Sequence, residues 1–194
     1  MIVLVGPSGS NKSEIAKALF RYKNMTKVIT ATTRKARIGE VNTEDYYFLS
    51  EKKFDEYVKE NKFIETTVYN DFKYGTPIKE LRLDKVLIIG PEGLKKLIEK
   101  APSDIASSIC VFFIKSKKEL REKRLLSRGF TLEEASRNII EDNYIFKNVK
   151  VNFVLEVDRI NERVMASKIY FLYQLFLNNE FDKNPVKVIK NCPK

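Results

Sequence analysis

The sequence contains neither histidine nor tryptophan among its 194 residues. The absence of histidine excludes a serine or cysteine nucleophile that is activated by an imidazole base, and it excludes a zinc site built on imidazole ligands. Any chemistry must therefore depend on lysine, arginine, carboxylates, hydroxyl groups and backbone amides.

Cysteine is almost as scarce, and long apolar runs are missing. Cys110 lies within the apolar run 109–114 and Cys192 lies in a polar tail, so a disulfide framework does not hold the fold together. No run reaches the roughly 18 apolar residues that indicate a membrane-spanning helix. The first run, residues 2–5, is too short for a signal peptide. We therefore expect a cytoplasmic protein without a membrane partner.

Positive charge, in contrast, is in excess. The chain has 36 Lys and Arg residues against 26 Asp and Glu residues, which gives a formal net charge of +10. This balance favours an anionic ligand such as a nucleotide, a nucleic acid or an acidic surface. A nucleic-acid binder rests on the charge alone, because no groove-reading motif, zinc spacing or RNA-binding signature accompanies it. Nucleic acid is therefore not the expected partner.

Short apolar runs alternate with helical patterns along most of the chain, which predicts an α/β fold around a mostly parallel sheet. Segment 34–76 interrupts this alternation with short strands and aromatic residues, and we interpret it as an inserted, mixed-β subdomain. The core would then comprise residues 1–33 and 77–194, with a tail at 182–194 that frays. The predicted core strands are 2–5, 28–29, 86–89, 109–114 and 151–155.

Local signals predict several boundaries. Ser50 and Asp158 are predicted helix N-caps. The spacings Ser116-x-x-Glu119 and Thr131-x-x-Glu134 are typical of capping boxes. Segment 73–77 is predicted to be a loop.

A phosphate-binding loop is predicted between the first strand and the first helix. There, successive backbone N–H groups and the helix N-terminus can face an anion. Lys12 would reach the β- and γ-phosphates, and the Ser13 hydroxyl would be a ligand of Mg²⁺. The strict pattern has glycine where Asn11 stands, but asparagine tolerates positive φ, so we expect the loop to keep its shape with the amide near the phosphates. An ordinary turn is the alternative for this segment, which has the sequence Gly6-Pro7-Ser8-Gly9-Ser10-Asn11-Lys12-Ser13.

A series of short motifs follows the second predicted strand. Alone, the basic loop that begins it would be a solvated surface. In order, the motifs are Thr32-Thr33-Arg34-Lys35-Ala36-Arg37, Gly39-Glu40-Val41, Asp45-Tyr46-Tyr47-Phe48, Phe63-Ile64-Glu65 and Lys73-Tyr74-Gly75-Thr76. Together with the phosphate loop they resemble the guanylate kinase family, without a gap from residue 28 to residue 76. The resemblance implies a P-loop kinase core, a helical lid around residues 118–140, and transfer of the γ-phosphoryl group of ATP to GMP with Mg²⁺ as cofactor.

The resemblance also implies roles for individual residues on the GMP side. Glu65 would accept hydrogen bonds from guanine N1–H and N2–H₂, the paired donors that adenine lacks. In isolation, Glu65 would be interpreted as a solvent-facing strand carboxylate. Thr30, Gly75 and Thr76 match positions near the base, and the clamp on the GMP phosphate would consist of Arg34, Arg37, Tyr46 and Tyr74.

On the ATP side, the resemblance implies lid arginines that close over the phosphates. Arg121 and Lys123 belong to the same basic cluster, whose alternative interpretation is a solvated helix face. A second lid arginine of the family aligns with Ile139, which leaves Arg137 as a displaced candidate. The candidate catalytic arginines of the lid are Arg124, Arg128 and Arg137.

The chain departs from the family where two aspartates are usual on a strand, since it has Ile88 and Gly90. Neither residue can hold the water shell of Mg²⁺, and Glu92 is the nearest carboxylate. We therefore expect slow transfer with a raised Mg²⁺ requirement, and we expect an aspartate at position 88 to be buried. The alternative is a catalytically impaired domain of the same type that acts as a nucleotide-binding or protein-interaction module. The complete clamp and the Lys12-Ser13 pair favour the enzyme.

Overall fold

The computed structural model of the protein describes residues 1–36, 38–69, 71–158, 161–179 and 187–189. The helices are α1 (Lys12–Lys23), α2 (Glu51–Lys59), α3 (Pro91–Lys100), α4 (Ser103–Ala106), α5 (Lys118–Leu126), α6 (Leu132–Ile145) and α7 (Glu162–Leu177). The strands are β1 (Ile2–Val5), β2 (Thr26–Lys27), β3 (Ala31–Thr32), β4 (Tyr47–Phe48), β5 (Phe63–Tyr69), β6 (Phe72–Pro77), β7 (Lys85–Ile88), β8 (Cys110–Lys115), β9 (Lys150–Val151), β10 (Phe153–Glu156) and β11 (Lys187–Val188).

The central sheet has five strands in the order β10-β8-β1-β7-β2, and all neighbours are parallel. Successive side chains of β1 belong to two different cores. Ile2 and Leu4 pack with α1 and α7 on one face, while Val3 and Val5 pack with α3 on the other. Burial on both faces explains why β1 is continuously apolar. The predicted α/β fold with a parallel sheet is confirmed.

A second, four-stranded sheet has the order β4-β3-β6-β5, with β3 and β4 parallel and the other pairs antiparallel. It includes Ala31–Thr32 and Pro77, so it begins before and ends after the predicted subdomain 34–76. The prediction of a loop at 73–77 is wrong, because β6 pairs there with both β3 and β5. Gly75 does not serve a turn. A Cβ at this position would lie 2.9 Å from the ring of Phe63.

A buried polar cluster around Glu80 joins the two sheets. The Glu80 carboxylate accepts a hydrogen bond from the Tyr47 hydroxyl at 2.7 Å and lies 3.1 Å from the ammonium group of Lys85. It also accepts from the Ile29 amide at 3.3 Å. Tyr47 belongs to the mixed sheet and Lys85 to the central sheet. The cluster therefore fixes how the mixed sheet is attached at this point.

Two of the four predicted N-caps are confirmed. Ser50 accepts from the amide of Lys53, and Thr131 forms a complete capping box with Glu134. The other two predictions are wrong, since helix α5 has Lys117 as its N-cap and α7 has Asn161. The Asp158 side chain instead accepts from the Ser116 hydroxyl at 3.0 Å and from the Lys117 amide at 2.8 Å.

The remaining differences concern chain segments at the sheet edges. The predicted strand 28–29 lies between β2 and β3, although Val28 still donates its amide to the Val86 carbonyl at 3.0 Å. Within the tail that was expected to fray, residues 187–189 instead bring β11 against β9, with Ile189 buried. None of the helices in the described part of the chain is long and apolar enough to cross a membrane.

Candidate nucleotide site

The predicted phosphate loop connects β1 to α1, and neighbouring backbone packs tightly against it. A Cβ on Gly6 would collide with the carbonyl oxygen of Ile114 at the end of β8. A Cβ on Gly9 would lie 2.7 Å from the carbonyl oxygen of Arg121 in α5. Both glycines have positive φ, +147° and +75°. The loop is therefore shaped by close contact with β8 and α5, in a conformation that side chains disfavour.

Asn11 adopts the left-handed conformation that the sequence predicts, with φ 73° and ψ 17°. Its side chain has a different role from the expected one. The amide nitrogen donates to Glu162 of α7 at 3.0 Å, which fastens the loop to the C-terminal helix instead of placing the amide beside the phosphates. The backbone of Asn11 is thus its contribution to the loop.

Lys12 and Ser13 begin helix α1. The Lys12 ammonium donates to the carbonyl oxygens of Gly6 at 2.6 Å and Pro7 at 2.8 Å, and to the Ser10 hydroxyl at 3.3 Å. The cation is therefore held inside the loop whose backbone is predicted to receive phosphate. Ser13 is exposed, with its hydroxyl on the first turn of the helix.

The candidate lid arginines divide into two groups. Arg124 of α5 donates to the Gly9 carbonyl at 2.9 Å and to the Ser116 hydroxyl at 3.0 Å, so the structure brings it to the loop. Arg128 and Arg137 are exposed. Arg121 is not a solvated member of this cluster, because it is fully buried and paired with Asp142 of α6.

Position 139, which aligns with a lid arginine of the family, is buried in this protein. Ile139 is buried with Leu125 and Ala135, and this small core packs α6 against α5. The displaced candidate Arg137 projects from α6 at an exposed position instead. These two helices form the region predicted to be the lid.

Three of the four residues predicted to clamp the GMP phosphate come together in the structure. The guanidinium group of Arg34 lies 5.5 Å from the ring centroid of Tyr46, whose ring lies 6.2 Å from that of Tyr74. Arg34 also forms a bidentate pair with Glu40, with N–O distances of 2.9 and 2.8 Å. This hydrogen bonding to Glu40 raises the pKa of Arg34. Arg37 lies outside the described residues.

Two residues of this cluster were not selected from the sequence. Glu40 was noted only as part of the Gly39-Glu40-Val41 motif, and its pairing with Arg34 was not expected. Lys27 lies with its ammonium 5.0 Å from the Tyr46 ring centroid and donates to the Asp45 carbonyl at 2.7 Å. Burial lowers the pKa of Lys27, although Asp45 and Glu40 oppose the shift. No spacing signal pointed to Lys27.

Glu65 and Thr76 lie opposite each other on β5 and β6. The buried Thr76 hydroxyl donates to the Glu65 carboxylate at 2.6 Å. Glu65 lines a cavity of about 350 Å³ together with Gly90, Glu92 and other residues at the start of α3. Glu65 is thus a half-buried cavity residue instead of a solvent-facing strand carboxylate.

Thr30 and Gly75 contribute backbone to the mixed sheet. The Thr30 carbonyl accepts from the amide of Tyr47 at 2.9 Å, and Gly75 pairs with Ala31 and Thr66. Lys96 of α3 was not anticipated from the sequence. It lines the cavity of Glu65 and donates to the Thr66 carbonyl at 3.3 Å.

The positions of the missing aspartates lie at the end of β7 and just after it. Ile88 is 40% exposed, so the expectation that an aspartate there would be buried is wrong. Gly90 is the N-cap of α3 and is also exposed. Glu92 is exposed in the first turn of α3, on the wall of the cavity that contains Glu65.

The sequence matches a known protein family over most of its length. The family model described as guanylate kinase matches residues 1–171. The chain belongs to the guanylate kinase family. A protein named guanylate kinase from Prochlorococcus marinus subsp. pastoris is 34% identical over 173 residues, which cover 84% of this chain and 92% of that protein. Another, from Caldanaerobacter subterraneus subsp. tengcongensis, is 35% identical over 179 residues, covering 86% and 84%.

Solved structures agree with this membership at the level of the fold. The crystal structure of guanylate kinase from Anaplasma phagocytophilum superposes with a TM-score of 0.64 at 22% identity, covering 96% of this chain and 89% of that one. The guanylate kinase family thus accounts for the parallel core and the mixed sheet of this protein. The individual site residues rest on their own geometry.

Proposed function

We propose that this member of the guanylate kinase family transfers the γ-phosphoryl group of ATP to GMP, giving ADP and GDP. One observation carries the proposal: β1 and β7 are parallel neighbours, with Leu4 paired to Ile88. The carboxyl ends of both strands therefore lie at one edge of the sheet, where open α/β sheets bind ligands. The phosphate loop follows β1, and the cavity lined by Glu65 and Glu92 adjoins the segment after β7.

On the ATP side, the loop amides that follow Ser8 and the N-terminus of α1 are proposed to bind the phosphates. Lys12 is already held within the loop by the Gly6 and Pro7 carbonyls, so its charge lies where phosphate oxygens would gather. Arg124 is held by the Gly9 carbonyl and adds a second cation beside the loop. We assign Arg128 and Arg137 to closure over the phosphates, where added donors stabilise the transferring group.

On the GMP side, Glu40 indicates how the phosphate would bind. Its two carboxylate oxygens occupy the guanidinium fork of Arg34 in the bidentate geometry that phosphate oxygens also use. We propose that the GMP phosphate takes over this fork and receives hydrogen bonds from the hydroxyls of Tyr46 and Tyr74, with Arg37 as the fourth member. In this proposal Glu40 pairs with Arg34 while no GMP is bound.

Recognition of the base is assigned to Glu65. The Thr76 hydroxyl donates to one oxygen of this carboxylate and orients it. A carboxylate oriented in this way accepts from the paired N1–H and N2–H₂ donors of guanine. Adenine offers no such pair, so AMP would leave a partly buried carboxylate unsatisfied.

The residues present fit Mg²⁺, which in phosphoryl-transfer sites uses few protein ligands and keeps waters and substrate phosphates. Ser13 offers an exposed hydroxyl oxygen beside the phosphate loop. The described residues contain no group of three acidic or cysteine side chains that could form a protein cage for a metal ion. When bound, Mg²⁺ supplies neutralisation of charge on the β- and γ-phosphates. We propose Ser13 as its one protein ligand.

The test is a coupled assay of ADP formation with Mg²⁺ and ATP, in which GMP and AMP are compared as acceptors. Lys12→Ala serves as the control for a contaminating kinase. We expect GMP-dependent ADP formation that this variant abolishes. ADP formation that is equal with AMP, or unchanged in the variant, would refute the proposal.

The compartment we propose is the cytoplasm, and the free thiol of the buried Cys110 is compatible with a reducing environment.

A further inference from the structure

Helices α5 and α6 bury an ion pair directly behind the phosphate loop. The side chains of Arg121 and Asp142 are 0% and 5% exposed, and the Nη2 atom of Arg121 binds the Oδ2 atom of Asp142. Buried ion pairs add little to stability, since apolar residues of similar volume often replace them without loss. Stability alone therefore does not explain why two charged residues occupy this position.

The contacts of the pair with the loop suggest another role. Asp142 Oδ2 accepts from the backbone N–H of Ser8 at 2.9 Å, and Arg121 Nε donates to the carbonyl oxygen of Ser8 at 2.9 Å. Both backbone polar groups of Ser8 are thus held by the pair. The next carbonyl, that of Gly9, is held by Arg124.

We propose that Arg121 and Asp142 are positioning residues that fix the backbone of Ser8 and thereby the direction in which the following loop amides face the ATP phosphates. This inference rests on the proposed function. Donors aimed in advance at the phosphates bind and stabilise them without reorganisation during the reaction. Without the pair, the Ser8 backbone can rotate, and the loop no longer presents its amides in one arrangement.

Charge gives the pair a second effect. Asp142 is close enough to Lys12 for their opposite charges to interact. Arg121 neutralises the carboxylate, so the pair as a whole does not repel ATP. Removing Arg121 alone leaves a buried carboxylate without its guanidinium partner, and removing Asp142 alone leaves a buried cation without its carboxylate partner.

A set of three variants separates positioning from stability. Arg121→Met and Asp142→Leu alone each leave a buried charge, and their melting temperatures are expected to fall by about 6–20 °C. The double variant removes both charges, and its melting temperature is expected to return to within a few degrees of the wild type. The affinity of the double variant for β,γ-methylene-ATP is nevertheless expected to be at least about tenfold weaker than that of the wild type.

The measurements are thermal melts by circular dichroism, calorimetric titration with β,γ-methylene-ATP and with GMP, and steady-state kinetics. Affinity for GMP is expected to stay within twofold, while the KM for ATP rises and kcat falls. The matched control is the double variant Lys85→Met/Glu80→Leu, which replaces another buried ion pair, away from the loop. That control is expected to keep the wild-type affinity for the ATP analogue.

An affinity for the ATP analogue within twofold of the wild type in the double variant would overturn the proposal, and so would an equal loss in the control. If the double variant does not fold, Arg121→Lys replaces it. Lysine keeps the charge but has one nitrogen in place of the two that Arg121 uses. Weaker ATP binding by this folded variant supports the proposal, and wild-type binding overturns it. Wild type that binds the analogue but does not phosphorylate GMP would refute the proposed function alone.

Discussion

Replacing Glu65 by glutamine changes one acceptor oxygen into a donor group and leaves the shape of the side chain almost unchanged. In the structure the Thr76 hydroxyl donates to one Glu65 oxygen at 2.6 Å. In Glu65→Gln this hydrogen bond keeps the remaining oxygen occupied and turns the NH₂ group toward the base. The NH₂ group would then face the N1–H and N2–H₂ donors of guanine.

The expected loss is that of a hydrogen bond to a charged group, about 1.5–3 kcal/mol. This corresponds to roughly 10- to 150-fold in kcat/KM for GMP. The rate with AMP has no such hydrogen bond to lose, so the preference for GMP over AMP is expected to fall by a similar factor. Because Glu65 is half-buried in a cavity, the melting temperature is expected to change little.

The assay is the steady-state rate with GMP and with AMP for the wild type, Glu65→Gln and the matched control Glu92→Gln. Glu92 lines the same cavity but is exposed at the start of α3. The control is expected to keep the preference for GMP. A wild-type preference in Glu65→Gln, or an equal loss in the control, would refute the assignment of Glu65 to base recognition.

Three further predictions concern metal, phosphate and acid. Lys12→Ala is expected to lower kcat at least about 100-fold. Its affinity for GMP, measured by calorimetry, is expected to stay within about threefold of the wild type. A parallel loss of GMP affinity would contradict separate sites for ATP and GMP. Ile88 is 40% exposed, so Ile88→Asp is expected to change the free energy of unfolding by less than about 0.5 kcal/mol. The variant is expected to reach half of its maximal rate at a lower Mg²⁺ concentration than the wild type. An unchanged Mg²⁺ dependence would show that the missing aspartate does not limit transfer. Burial alone would raise the pKa of Glu80, but hydrogen bonds from Tyr47, a backbone amide and Lys85 outweigh this effect and lower the pKa. Glu80 therefore stabilises the fold above its unfolded pKa of about 4.3. This stabilisation is lost as the pH falls through the lower pKa of the folded state. Urea unfolding should therefore show Glu80→Gln less stable by about 1–3 kcal/mol at pH 7 and a smaller difference below pH 4, and a constant difference would contradict this.

The sequence predicted the parts of the fold that depend on pattern and local chemistry. The continuously apolar run of β1 indicated a strand covered on both faces, and the two cores confirm it. Asn11 was correctly expected to tolerate positive φ. Segment 73–77 was misjudged because Gly75 and Pro77 are typical of loops, whereas here glycine makes room for the Phe63 ring within a strand.

Tertiary contacts limited the prediction of the site. Arg121 was grouped with exposed arginines because its partner is distant in sequence, yet its position gave a signal. Arg121 and Leu125 are four residues apart on the buried face of α5, and Asp142 continues the buried stripe of Ala135 and Ile139 on α6. A charged residue on each of two apolar helix faces indicates a buried pair. In the same way, the side chains of Ser116 and Asp158 bind each other instead of capping helices.

The most direct test of the central claim is to follow the phosphoryl group itself. Wild-type protein is incubated with [γ-³²P]ATP, GMP and a series of Mg²⁺ concentrations, and the labelled nucleotides are separated. The account predicts that the label appears in GDP when GMP is present, and that far less label is transferred when AMP replaces GMP. Absence of labelled GDP at every Mg²⁺ concentration, with GMP binding intact by calorimetry, would contradict the account and favour a nucleotide-binding module that has lost its chemistry.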